Sequence, residues 1–121
     1  MIEVRTDKTN NLLRIKFSGH ATVAESRESL KRFETLLPDL PTGFRLLTDL
    51  SGLELMDQDC VPQLKTVMDH CNAKGVSLIV RVIPDPHKDI GFNILSLFHY
   101  RHNIRIVTCE TLAEAEQSLR E

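Results

Sequence analysis

Val76-Ser77-Leu78-Ile79-Val80-Arg81-Val82-Ile83 is the most apolar stretch of the chain. A nearly continuous aliphatic and β-branched run of this length suits a strand covered on both faces, as in the parallel sheets of α/β proteins. Arg81 inside it needs company, because an unpaired buried guanidinium is expensive. Either a carboxylate on a neighbouring strand or a ligand cavity supplies that company. Pro84-Asp85-Pro86 forbids helix and turns the chain into a loop. Just upstream, Gly75 is a natural residue to end a helix. That helix is expected over roughly Asp59 to Lys74, where Val61, Leu64, Val67, Met68 and Cys71 recur at helical spacing. Pro62 fits in its first turn, where a missing N–H costs nothing. Before the helix, Pro41-Thr42-Gly43 turns the chain into Phe44 to Asp49, a second buried strand candidate. The sequence around Val76 therefore reads strand, helix, strand, the unit of a parallel sheet with a right-handed crossover.

Further out, the pattern continues. Ile2 to Arg5 and Leu12 to Phe17 alternate apolar and polar residues on either side of Asp7-Lys8-Thr9-Asn10-Asn11. That period of two predicts an antiparallel hairpin with one wet face, closed by Ser18-Gly19-His20-Ala21. Thr22 and Glu25 form a T-x-x-E capping box that opens a helix to about Leu37, with Val23, Leu30, Phe33 and Leu37 inward and Pro38 as its stop. Asp89 to about Tyr100 predicts a third helix, with Ile90, Ile94, Leu97 and Phe98 inward. Asn103 to Val107 predicts a short last strand. Thr111 and Glu114 repeat the capping box before a terminal helix with Leu112, Ala115 and Leu119 on one face. The expected order is β-β-α-β-α-β-α-β-α, an α/β domain with a mixed sheet.

The chain has 121 residues and a formal charge of −2, from 15 Lys and Arg against 17 Asp and Glu. That is one domain's length, and it lacks the clustered basic charge of a nucleic-acid binder. No apolar run approaches the ~18 residues of a membrane span. The first residues show no apolar core of a secretory signal. Three cysteines, Cys60, Cys71 and Cys109, are too scattered for a disulfide framework or a paired-cysteine zinc site. A reducing, cytoplasmic setting is the default expectation. No cofactor fingerprint, paired catalytic carboxylates or Ser/His/Asp order stands out, so the chain reads as non-enzymatic, with no cofactor and no metal.

Leu46-Leu47-Thr48-Asp49-Leu50-Ser51-Gly52, four residues and then Asp57 opening a helix form a recognisable pattern. It resembles the STAS domains of anti-sigma factor antagonists, and the element order fits over nearly the whole chain, residues 1–121, as a single domain. The resemblance implies a protein-interaction module whose regulatory site directly follows the aspartate, typically as D-S-S-G or D-S-T-G. In that family a partner kinase, which is also the anti-sigma factor, phosphorylates the second hydroxyl residue. On this chain Asp57 matches the leading aspartate, Gln58 the first serine, Asp59 the phosphorylated residue and Cys60 the glycine. The acceptor hydroxyl is absent. Asp59 supplies a fixed charge of −1 where a phosphate would bring about −1.5 to −2. Either the chain mimics a phosphorylated partner or it has left the phospho-switch, and the loss of the glycine at Cys60 favours the latter. It also resembles the STAS/SEC14-type, SpoIIAA-like stand-alone domains, which lack the phospho-serine motif. This kinship implies an alternative function, binding of a small apolar ligand or lipid.

The partner-binding expectation thus falls on Asp49, Ser51, Asp57, Gln58, Asp59 and Cys60, near the carboxyl ends of the parallel strands. Asp85, His87, Lys88, Cys109 and Glu110 fall at the same end. So acidic a set argues against nucleotide phosphates and for a basic protein partner. The plainer expectation for Asp57 and Asp59 is helix capping and a favourable dipole interaction, worth about 0.5–2 kcal/mol. Cys60 at a helix start has the place of a reactive thiol, but two flanking carboxylates disfavour the thiolate. Cys71 and Cys109 read as small apolar fillers. His99-x-x-His102 has a spacing metals use but no third ligand in the pattern. Phe98-His99-Tyr100-Arg101-His102 concentrates aromatic and cationic groups of the kind enriched at interfaces. Under the alternative function, the ligand cavity is walled by Arg81, Phe92, Leu95 and Phe98.

Overall fold

A computed structural model describes residues 1–83 and 104–120. They form a five-stranded sheet in the order β1-β2-β3-β4-β5, with β1 Ile2–Asp7, β2 Leu12–Ala21, β3 Arg45–Met56, β4 Leu78–Val82 and β5 Arg105–Cys109. β1 and β2 are the antiparallel hairpin, with Ile2 opposite Phe17 and Val4 opposite Ile15. The other neighbours, β2 with β3, β3 with β4 and β4 with β5, run parallel. The three described helices are α1 Val23–Leu36, α2 Val61–Lys74 and α3 Leu112–Arg120. The mixed α/β architecture inferred from periodicity is therefore the observed one. The expected helix over Asp89–Tyr100 lies outside the described residues, as do Phe92, Leu95, Phe98 and the Phe98–His102 segment.

Alternation along the strands sends side chains to two cores. On one face Leu13, Ile15 and Phe17 of β2 pack with Phe33 of α1 and Met68 and Cys71 of α2. On the other, Leu12, Leu47, Val80 and Val82 pack with Ala115 and Leu119 of α3. Leu112, expected inward, is 42% exposed, at the first residue of α3 beside Arg14, Lys16 and Asp49. Bidentate hydrogen bonds tie α3 to β2: Arg14 Nη1 donates to Glu116 Oε1 at 2.8 Å and Nη2 to Oε2 at 3.4 Å. Arg45 also donates to the carbonyl of Leu119, fixing the helix end.

The Arg14 guanidinium holds the Glu116 carboxyl below the ordinary glutamate range, chiefly through this hydrogen bond. A depressed folded pKa means the bond stabilises fully above the ordinary range and is lost as pH falls through the lower folded value. Glu116→Gln should therefore cost stability at pH 7 and nothing in strong acid. Both groups are partly exposed, so the expected loss at pH 7 is only about 0.5–1 kcal/mol. Urea melts of both proteins from pH 7 to pH 2.5 check the convergence.

Two strands differ from their expected lengths. Ser18 to Ala21 continues β2 instead of closing it, and β3 runs past Asp49 to Met56. Each extension pairs with the other, Ser18 with Gly52 and Ala21 with Met56. The register slips between Lys16 and Ser18 and again between Gly19 and His20, each time with one extra residue on β3. These bulges change which side chains face inward. They keep Leu53 and Met56 against the core and leave Glu54 and Leu55 exposed. Gly52 sits where β2 comes closest: a Cβ there would stand 3.3 Å from Ser18 Cβ.

Gly75 ends α2 at φ 87°, its N–H bonding the carbonyls of Cys71 and Asn72. A Cβ at this position would come 2.7 Å from Thr42 Cγ2. Gly75→Ala adds that clash to a left-handed backbone, so it should lower stability by about 1–3 kcal/mol in a urea titration.

Candidate functional site

The ends of β2 and β3 carry the starts of both α1 and α2. β2 ends at Ala21, and Thr22 caps α1, its Oγ1 accepting from the Glu25 N–H at 3.2 Å. Glu25 also meets the N-terminal ammonium at 3.2 Å, and that contact, reinforced by Thr22, keeps its carboxyl below the ordinary glutamate range. β3 ends at Met56, and Asp57-Gln58-Asp59-Cys60 follows as a tight turn leading into α2. The Ala21 carbonyl organises this turn: it accepts the Asp57 N–H at 3.0 Å and the Cys60 thiol at 3.6 Å. Within the turn the Cys60 N–H donates to the Asp57 carbonyl at 3.0 Å.

Gln63, on the first turn of α2, braces the turn from behind. With its amide nitrogen oriented towards the surrounding acceptors, it donates to the carbonyls of Asp59 (2.8 Å) and Cys60 (3.2 Å) and to Ser26 Oγ of α1 (3.3 Å). Ser26 is itself buried and donates to the Val23 carbonyl at 2.9 Å. The two helix starts are thus joined by side chains that local sequence reasoning passed over. Polar residues at buried helical positions were their only signal.

Asp57 does not cap a helix through its carboxylate. Instead Oδ1 lies 2.6 Å from Nε2 of His20, across from it near the end of β2. The capping expectation fails for Asp59 too, since no side chain caps α2. The physical reason is the turn at Gln58–Cys60, which satisfies N–H groups with backbone carbonyls before α2 begins. Asp59 and Gln58 are exposed, and among the described residues none bonds the Asp59 carboxylate.

The six expected partner-binding residues do not form one surface. Asp57, Gln58, Asp59 and Cys60 are together in the turn, but Cys60 is only 1% exposed and supports it from below. Its thiol donates to the Ala21 carbonyl, and among the described residues no histidine bonds it. Asp49 is 6% exposed, and its Oδ1 accepts from the N–H (3.0 Å) and hydroxyl (2.6 Å) of the next-but-one residue, Ser51. It belongs to the opposite face of the sheet, beside Arg14, Lys16 and Leu112. Alternation in the strand separated it from the turn. Arg81 is also buried, Nη2 donating to Thr108 Oγ1 on β5 at 2.8 Å. Cys71 and Cys109 are buried and in no disulfide, the fillers expected. Glu110 is exposed, while Asp85, His87, Lys88, His99 and His102 lie outside the described residues.

Among the described residues no group of three or more His, Cys, Asp or Glu could hold a metal ion. No described helix is long and apolar enough to cross a membrane. What the turn offers chemically is charge and shape: a rigid corner with one engaged carboxylate at Asp57 and one unengaged at Asp59.

No protein-family model and no curated protein sequence matches the chain. Solved structures do match in fold. The Bacillus cell fate determinant SpoIIAA in its phosphorylated form superposes with a TM-score of 0.71 at 15% identity, covering 99% of this chain and 100% of that one. A Shewanella loihica protein with a SpoIIAA-like fold gives 0.72 at 12% identity, covering 98% and 92%. An anti-sigma factor antagonist from Mycobacterium paratuberculosis gives 0.63 at 15% identity, covering 100% and 94%. The chain has the SpoIIAA-like, STAS-type fold.

Proposed function

We propose that residues 1–121 act as one non-enzymatic regulatory module, which binds another protein through the exposed turn at Asp57–Asp59. One observation carries this reading. Asp59 is displayed, unengaged, on a turn braced by Ala21, Gln63 and Ser26. Rigid display lowers the ordering cost of binding, and an unengaged carboxylate supplies charge complementarity to a basic partner. The likeness to structures described as anti-sigma factor antagonists supports a regulatory role and a partner of kinase or anti-sigma type. Asp59 stands where the family resemblance puts the phosphorylated hydroxyl, so recognition here uses a permanent charge and no phospho-switch. Of the alternative ligand cavity expected at Arg81, Phe92, Leu95 and Phe98, the three apolar walls lie outside the described residues, while Arg81 is buried with Nη2 donating to Thr108.

The test is comparative capture from a lysate of the source organism with immobilised wild type, Asp57→Asn and Asp59→Asn. At least one protein should be recovered by the wild type and lost, about tenfold or more, with Asp59→Asn. Unchanged thermal melts of the variants would separate lost binding from lost fold. A recovered set indifferent to both substitutions would sink the reading.

A further inference from the structure

The face of the sheet that carries α3 has an open side. Among the described residues α3 packs chiefly on β3, β4 and β5, and a cleft of about 290 Å³ remains over β1, β2 and the near side of β3. Strand alternation and register make its floor a grid of charges. Glu3, Lys16 and Asp49 stand opposite one another across the three strands, and Arg5 and Arg14 form the next row. Most of these charges are spent. Arg5 pairs with Glu3 at 3.7 Å and Arg14 with Glu116 at 2.8 Å. Lys16 lies between two carboxylates in the register, yet among the described residues it pairs with neither. Asp49 is only 6% exposed, and a carboxylate buried this deeply needs partners for its charge. Ser51 supplies two hydrogen bonds, both to Oδ1. Oδ2 accepts none among the described residues, and it is not sealed from solvent. Beside them Leu112 presents an exposed apolar side chain at the start of α3.

We propose that this cleft binds an α-amino acid with an apolar side chain, its ammonium on Asp49, its carboxylate on Lys16 and its side chain against Leu112. The two uncommitted charges are opposite in sign and one strand spacing apart, about 4.8 Å, which a small zwitterion can bridge. A simple anion would meet Lys16 but be repelled by Asp49, and a simple amine the reverse. The cleft holds the volume of roughly nine or ten water molecules, room for a ligand the size of leucine. An aliphatic side chain there would take the exposed surface of Leu112 out of water. The site lies on the opposite face of the sheet from the Asp57–Asp59 turn and does not rest on that turn's docking role.

The experiment is NMR titration of the isotope-labelled full chain with L-leucine, leucinamide and isocaproate, read at the backbone amides. L-leucine should give saturable shifts at Lys16, Asp49 and Leu112. Leucinamide lacks the carboxylate and isocaproate the ammonium, so each should bind at least about tenfold more weakly. Asp49→Asn should weaken L-leucine by a similar factor. Should that variant not fold, Lys16→Gln, an exposed substitution, should do the same. Asp59→Asn should bind L-leucine as the wild type does, so that failure of this site and failure of the docking turn are read separately. Absence of saturable shifts at these three residues overturns the proposal. So does an L-leucine affinity within about twofold of either analogue's, or one that Lys16→Gln leaves unchanged.

Discussion

Phe33→Ala is expected to remove about 3–5 kcal/mol of folding stability. Phe33 has no exposed surface, and it is the fully buried apolar side chain that α1 sends into the larger core, alongside Leu37, Leu46 and Met68, with Leu30 and Leu36 packed at the margin. Its ring also lies 6.1 Å from that of His70 on α2, whose Nε2 is 2.9 Å from Glu34 Oε2 back on α1. The truncation would thus empty a space between two helices and the sheet, with little freedom to collapse because both helix starts are pinned by Ser26 and Gln63. Against a total stability of about 5–15 kcal/mol for a typical domain, the loss is a large share. Leu112→Ala is the internal control: an exposed side chain should change stability by no more than about 0.5 kcal/mol. Urea titrations of both variants, followed by circular dichroism, measure the contrast. A Phe33→Ala cost below about 1 kcal/mol would mean that α1 is not held by this core.

Asp59→Lys should lower affinity for the captured partner by about two orders of magnitude, while leaving the melting temperature close to that of the wild type. Reversing a charge against a basic surface replaces attraction by repulsion, and like-charge contacts across an interface cost several kcal/mol. The fold should be spared because Asp59 is exposed and only its backbone carbonyl is used, by Gln63. Binding by the wild type should also weaken as salt rises from 50 to 500 mM, conditions chosen to screen exposed charges, with a shallower dependence in Asp59→Asn. An affinity that Asp59→Lys leaves within about twofold would show that the turn is not an electrostatic contact.

Much of this molecule could be read locally. Capping boxes at Thr22 and Thr111, the alternation of Ile2–Arg5 and Leu12–Phe17, and Gly75 after α2 each act within a few residues, and each does what its chemistry dictates. What escaped was made by long-range pairing. Ser51-Gly52 has the composition of a turn, yet it stays in β3 because Ser18 to Ala21 lies alongside to receive its hydrogen bonds. The same pairing brings His20 to Asp57 from 37 residues away, which turned a capping aspartate into a cross-strand partner. Asp49 and Asp57 looked like one acidic cluster in the sequence. The pleat of β3 puts Asp49 on the face of α3, and the end of the same strand delivers Asp57 beside the start of α1. The exposed place of Gln58 and Asp59 follows from the turn, whereas burial of Cys60 follows from the Ala21 carbonyl that holds its thiol.

The most direct test of the docking surface is an amide hydrogen-exchange footprint of the chain with and without its captured partner. Slowed exchange on binding is expected at Gln58, Asp59 and Val61, with little change across Arg5, Arg14 and Lys16 on the opposite face of the sheet. Protection confined to that opposite face, with the Asp57–Asp59 turn exchanging as in the free chain, would contradict it.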